Sequence, residues 1–252
     1  MSGRAELTEV ADGVFLAGTG LVNRYLLRQG RSLTLVDGGY PADAADVLGS
    51  LTRLGARPGD VEAVLVTHAH TDHVGGLGAL LAAAPGLPVL THPDEVAHAH
   101  RDRLEQVSTG TVLRHAWRPR VAAWAVRALR GGGTRDVALP RARGFTPGAA
   151  LDLPGAPVPV PTPGHTSGHT AYRVPGAGAL LTGDALVTAH PTTTRRGPQL
   201  LPRFFHHDPA AAARALAALA GLPEDLLLPG HGPVLRVPAG RAVRLALSPS
   251  EP

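Results

Sequence analysis

A chain of 252 residues that is 44% hydrophobic and 17% charged fits one sizeable soluble globular domain. It has no cysteine, so disulfides and thiolate metal ligands are excluded, and any metal must be held by His and carboxylate side chains. A net charge of only +4, with Arg as every basic residue, argues against a nucleic-acid binder, and no apolar run reaches the roughly 18 residues of a membrane span.

The opening MSGRAELTEV lacks the apolar core of a signal peptide, which predicts a cytoplasmic protein. Val10–Leu16, Leu21–Arg28 and Leu33–Val36 read as short strands punctuated by Asp12-Gly13, Gly18-Thr19-Gly20 and Gly30. Apolar residues at helical spacing from Pro41 to Leu54 predict a helix, and the apolar run Val61–Val66 a buried strand. Helical character resumes over Val74–Ala84, and Val89–Thr91 is a further strand.

From Asp94 to Arg130 the pattern is helical and basic, interrupted at Pro119 and ended by three glycines at 131–133. Between residues 101 and 144 ten Arg face only Asp102, Glu105 and Asp136, so this segment carries the positive excess. Strands return at Val158–Val160, Thr170–Val174 and Ala179–Leu181, followed by a loop rich in Pro and Thr. A helix over Pro209–Ala220, the strand Leu226–Leu228 and a short tail complete the chain. Strands and helices alternating in two halves predict a layered α/β domain over 1–252, with 94–150 as a helical insertion and 240–252 as a tail.

The chemistry concentrates where strands end. Thr67-His68-Ala69-His70-Thr71-Asp72-His73 follows Val61–Val66, and three histidines and an aspartate fall within six residues. His165 and His169 follow the strand at 158–160, Asp184 follows 179–181 and His231 follows 226–228, each beside a glycine that lets the backbone turn sharply. Strands of one sheet end at one edge, so these loops can converge. Imidazole and carboxylate ligands suit Zn²⁺, and also Fe or Mn. His68, His70, Asp72, His73, His165, Asp184 and His231 make seven ligand-type residues, too many for one catalytic ion but suited to two ions that share a carboxylate and a water.

With these motifs in register, the sequence resembles the metallo-β-lactamase superfamily, whose H-x-H-x-D-H signature stands intact at 68–73. The resemblance covers about residues 10 to 235 and implies a four-layer αβ/βα sandwich with the metals at one edge of its sheets. It implies one zinc held by His68, His70 and His165, and a second by Asp72, His73 and His231, with Asp184 bridging. It also implies that Asp37, in Val36-Asp37-Gly38-Gly39, orients the ligand loop, and His169 reads as a support from the second half. The expected chemistry is a dinuclear zinc hydrolase that attacks a small ester, thioester or lactone with a hydroxide shared by both metals. Asp72 is then the candidate to pass a proton to the leaving group.

Departures from individual members narrow the field. The absence of cysteine excludes the cysteine-containing zinc β-lactamases, and Asp184 argues against the others. Only 21 residues follow His231, short of the glutathione-binding helical domain of glyoxalase II. Val187 stands where quorum-sensing lactonases have a tyrosine. Thr71 replaces the usual Gly of ribonuclease Z, and no tRNA-gripping arm is evident. The alternative from another class is a persulfide dioxygenase using one Fe²⁺; a phosphodiesterase or nuclease is the third reading.

The remaining histidines fit no metal motif, and His98-Ala99-His100 reads as a solvated helix face. Trp117 and Trp124 are candidates to line an apolar substrate pocket beneath the insertion, which would equally serve as a packed helix or a homo-oligomer contact. Arg195, Arg196, Arg203, Phe204 and Phe205, in the loop after Asp184, are candidate contacts for a small-molecule substrate.

Overall fold

In the computed structural model, which describes residues 6–248, the chain forms the expected layered αβ/βα fold. The first five residues and the last four of the 240–252 tail lie outside the described residues. The first half forms a seven-stranded sheet from β1 (Glu6–Ala11), β2 (Val14–Gly18), β3 (Asn23–Gln29), β4 (Ser32–Val36), β5 (Val61–Leu65), β6 (Val89–Thr91) and β7 (Ala142–Gly144), in chain order. β1 to β4 are antiparallel neighbours, whereas β4 to β7 pair in parallel through helical crossovers.

Helices of this half are α1 (Ala44–Arg53), α2 (Thr71–Val74), α3 (Gly78–Ala83), α4 (Val96–His100), α5 (Thr109–His115) and α6 (Pro119–Arg130). Pro119 takes the first helical position of α6, where its missing N–H costs nothing, so it starts a helix rather than breaking one. The second half supplies β8 (Val158–Pro161), β9 (Thr170–Val174), β10 (Ala179–Gly183), β11 (Val187–Ala189), β12 (Arg196–Gln199), α7 (Pro209–Ala215), α8 (Ala217–Ala220), β13 (Leu226–Pro229), β14 (Leu235–Arg236) and α9 (Ala239–Leu247). Its five-stranded sheet runs β14-β13-β10-β9-β8, and β11 and β12 form a separate hairpin.

Strand alternation builds the layers. On β3, β4 and β5 one set of side chains (Leu26, Leu33, Leu35, Val64) packs with Val47 and Leu51 of α1 and Leu80 of α3. The alternate set (Tyr25, Leu27, Val36, Leu65) meets Tyr172, Leu181, Leu226 and Leu228 of the second sheet. Leu180 and Leu227, on the far side of that sheet, pack on Leu216, Leu219, Ala242 and Val243 from the outer helices.

Two sequence expectations are corrected. The segment 94–150 is not wholly a helical insertion, because Ala142–Gly144 adds the edge strand β7 beside β6. The expected tail from residue 240 instead begins within α9, whose Ala239, Ala242, Val243 and Ala246 are buried at helical spacing. Among the described residues no helix is long and apolar enough to cross a membrane.

Candidate metal centre

The parallel strands bring their C-terminal ends to one edge, and the polar loops gather there. Asp37 follows β4, residues 67–73 follow β5, Asp184 follows β10 and His231 follows β13. The loop between β8 and β9 delivers His165 and His169. His68, His70, His73, His165, Asp184 and His231 are all buried, and Asp72 is partly exposed. Their ligand atoms fall into three tight groups: His68, His70 and His165; Asp72, His73 and His231; and His68, His73 and Asp184. The loop carrying His231 closes directly on them, since a Cβ on Gly230 would collide with Asp184 Oδ1 and His73 Cε1.

The hydrogen bonds fix which nitrogen of each ring is bare, because a backbone carbonyl can only accept. His70 donates Nε2–H to the Glu105 carbonyl (3.2 Å), which leaves Nδ1 without a hydrogen. His206 donates Nε2–H to the Leu201 carbonyl (3.1 Å), so its Nδ1 must accept from His165 Nδ1–H at 3.3 Å. His165 Nε2 is therefore bare too, and it faces His70 Nδ1 at 3.1 Å. Two lone pairs meet there with no hydrogen between them, an arrangement that a cation between them would relieve.

The second group obeys the same logic. His231 donates Nδ1–H to the Leu21 carbonyl (2.6 Å), which turns Nε2 inward to within 3.2 Å of Asp184 and 3.6 Å of Asp72. His73 Nδ1 is paired with Asp37 Oδ2 at 2.8 Å, and its buried Nε2 has no hydrogen-bond partner. The Thr67 hydroxyl donates to Asp37 (2.8 Å), so it accepts from His68 Nδ1 (3.1 Å). His68 Nε2 and Asp184 Oδ1 are likewise buried and unpartnered. Orphaned buried polar atoms are costly, and five imidazole nitrogens and a carboxylate turned towards one point fit a pair of divalent cations.

Electrostatics divide the cluster into two sets. Burial, and after it the neighbouring rings, lowers His68 and His165 well below the ordinary histidine range, and burial takes His70 down to about 4, which keeps their lone pairs free. Burial opposes charge on His73 and His231, yet Asp184, joined by Asp37 at His73 and by Asp72 at His231, outweighs it and raises both, so a cation binding there would displace protons from these two rings. Burial would also raise Asp184, but His231 and His73 hold it well below the usual carboxylate range.

The supporting groups include several that the motifs did not reveal. Asp37 accepts from Thr67 N–H (2.9 Å), Thr67 Oγ1 and His73, and it sits at φ 61°, a left-handed backbone uncommon outside glycine. His169 accepts from Asp184 N–H at 3.0 Å and is paired with Thr162 Oγ1 at 2.8 Å, so it sets the backbone that carries Asp184. Glu95, fully buried, accepts from Ala69 N–H (2.8 Å) in the first ligand loop and from Thr166 Oγ1 (2.7 Å) and Gly168 N–H (3.0 Å) in the second. Glu105 adds a parallel brace, with its carbonyl on His70 and its carboxylate accepting from Ser167 N–H and Oγ1.

His98 corrects another expectation: it is fully buried and bonded to Glu95 (2.9 Å) rather than on a solvated face, and half-buried His100 is bonded to the Ala142 carbonyl at 2.9 Å.

A cavity of about 830 Å³ opens above the cluster, and His70, Asp72, His165, Asp184 and His231 line its base. Of the candidate substrate contacts, Trp124 and Phe205 form part of its wall, 5.1 Å apart. Phe204 lies behind them, stacked on His115 at 4.3 Å. Trp117 is off the wall and 76% exposed, with the Arg118 guanidinium over its ring. Arg195 turns to the carbonyls of Leu245 and Ser248 at the end of α9, and exposed Arg196 and Arg203 also lie off the wall.

The profile described as the metallo-beta-lactamase superfamily matches residues 17–231. A probable metallo-hydrolase of Bacillus subtilis, YflN, is 26% identical over 89% of this chain and 85% of its own length. A hydroxyacylglutathione hydrolase of Dechloromonas aromatica is 30% identical over 81% of this chain, which spans only about half (55%) of that enzyme's length. Among solved structures, a metallo-beta-lactamase family protein of Thermus thermophilus, TTHA1429, shares the fold with a TM-score of 0.65 at 22% identity, covering 94% of this chain and 79% of its own.

Proposed function

This chain belongs to the metallo-β-lactamase superfamily, and from that premise we propose that it is a dinuclear zinc hydrolase of an ester, thioester or lactone. Its coarser assignment, a metal-dependent hydrolase, comes with the family and its named relatives. The observation that carries the finer reading is the convergence of five imidazole rings on Asp184, with the opposed lone pairs of His70 and His165 at 3.1 Å. In this reading His68, His70 and His165 hold one ion, Asp72, His73 and His231 hold the other, and Asp184 lies between them. Two zinc ions there would supply Lewis acidity and ionise water near neutral pH.

The chain's own groups account for the rest. Water adds to the acyl carbon, the C–O or C–S bond breaks, and the proton released ends on the leaving alkoxide or thiolate. Asp72 is the candidate to carry that proton: it lines the cavity and is the most exposed carboxylate of the cluster, its side chain 19% accessible. Tyr40 also lines the cavity with a phenol that burial, then Asp72 and Asp184, hold well above its ordinary pKa.

Metal content by mass spectrometry on protein purified without chelators, paired with a panel of esters, thioesters and lactones, tests the proposal. About two zinc per chain with turnover of one panel class is expected. About one iron per chain and oxygen uptake with glutathione persulfide would overturn it in favour of the dioxygenase.

A further inference from the structure

The cavity has two walls of opposite chemistry. One is apolar and continuous with a buried cluster: Val107, Val112, Trp124, Ala125, Leu201 and Phe205. The other is polar and tied together by its own bonds. In it Arg101 pairs with Asp136 at 3.2 Å, Gln106 accepts from Thr71 N–H at 3.0 Å, and the Arg135 carbonyl accepts from Thr71 Oγ1 at 3.3 Å.

At the rim, Leu104, Leu113, Val126 and Leu129 line the same cavity while being 48–67% exposed. These four are a majority of the exposed large hydrophobics among the described residues, and they sit around one opening rather than scattered over the surface. A patch of that kind marks a surface that something apolar covers. The volume lies within the 300–1,000 Å³ range of small-ligand cavities, so the occupant is a small molecule.

We propose that the substrate is an amphiphile: an ester or thioester whose apolar, medium or long acyl chain lies along the α5–α6 wall and out to the leucine rim, with its polar leaving group on the Arg101–Arg135 side. This rests on the hydrolase reading for the position of the acyl carbon, and on the cavity walls for the chain. A short polar acyl group would leave the apolar wall and its rim in water. An apolar chain removes both from water, at a gain of about four-fold in affinity per methylene.

The test is binding of butanoate, octanoate and dodecanoate, below their micellar concentrations, to the metal-loaded protein carrying Trp117→Phe. Trp124, in the cavity wall, is then the remaining tryptophan and its fluorescence reports occupancy. Affinity is expected to climb by about four-fold per methylene until the wall is covered. Ala125→Phe should move that limit to a shorter chain. Leu129→Asp, at an exposed position that carries no core packing, should weaken dodecanoate far more than butanoate. Equal affinity for the three acids, or a length dependence that neither variant alters, overturns the proposal. Binding needs no turnover, so length-dependent binding by a protein that cleaves no ester would sink the hydrolase reading and leave the apolar-chain site standing.

Discussion

His165 and His206 meet through their Nδ1 atoms at 3.3 Å, and the hydrogen between them belongs to His165 because the Leu201 carbonyl already takes the Nε2–H of His206. A residue outside every recognisable motif thereby decides which nitrogen of His165 points at the cluster. His206→Ala should weaken metal binding by roughly 10- to 100-fold, the usual cost of losing such a partner. His206→Asn, which keeps an acceptor near the same place, should recover part of it. Competition against a chromophoric chelator measures this, and unchanged affinity in the alanine variant would show that His165 needs no help.

Asp37 makes a complementary case from the other half of the site. Its carboxylate accepts from the backbone and hydroxyl of Thr67 and from His73 at 2.8–2.9 Å. Asparagine tolerates its left-handed backbone but replaces one acceptor oxygen with a donor that must face one of those donors. Asp37→Asn should therefore keep the far-ultraviolet circular dichroism and lower the metal content towards one ion per chain. The loss should fall on the group that contains His73. Two ions retained at native affinity would be incompatible with this role.

Glu95 predicts a pH dependence of stability. Burial opposes its charge, but His98 and the donors from Ala69 and Thr166 hold its pKa below the ordinary 4.5. The unfolded chain thus binds this proton more readily than the folded protein. The stabilisation is complete above about pH 4.5 and drains away as pH falls through the lower folded value. Glu95→Gln turns one oxygen into a donor facing donors, which should cost about 2–3 kcal/mol at neutral pH. Urea denaturation between pH 3 and 7 should show the gap between wild type and variant closing on the acid side. A gap that is constant with pH would mean that the charge of Glu95 contributes nothing.

The His/Asp cluster was legible because its members lie at the ends of apolar strands, crowded into short stretches such as 68–73 beside glycines. The layered fold was legible for the same reason: strand and helix periods alternate cleanly over most of the chain. The braces were not. Glu95 reaches Gly168 across 73 positions and Glu105 reaches Ser167 across 62, so no local spacing announces them. β7 escaped because Ala-Arg-Gly has no apolar alternation and is held only by pairing with β6. The arginines after Asp184 misled because their sequence position near a ligand says nothing of direction, and Arg195 in fact ties the loop to α9. By contrast, α9 carried a readable signal in the helical spacing of Ala239, Ala242, Val243 and Ala246.

Removing metal should destabilise the fold and not merely silence it. Without a cation, the lone pairs of His70 and His165 oppose each other at 3.1 Å, and His68 Nε2, His73 Nε2 and Asp184 Oδ1 are buried with no hydrogen-bond partner. These groups come from both halves of the sandwich, so their repulsion acts across the interface between the two ligand loops. Free metal at about 1,000 times its dissociation constant contributes roughly 4 kcal/mol through linkage. Stripping it should lower the melting temperature by roughly 8–16 °C for a chain of this size. Differential scanning calorimetry of the protein with chelator, then with excess Zn²⁺ restored, reads this directly. His206→Ala should show a smaller metal-dependent shift, because it already binds metal less tightly. A melting temperature indifferent to chelator, on protein shown to have lost its metal, would mean that the cluster relaxes at no cost and that the bare nitrogens are not held in place by the fold.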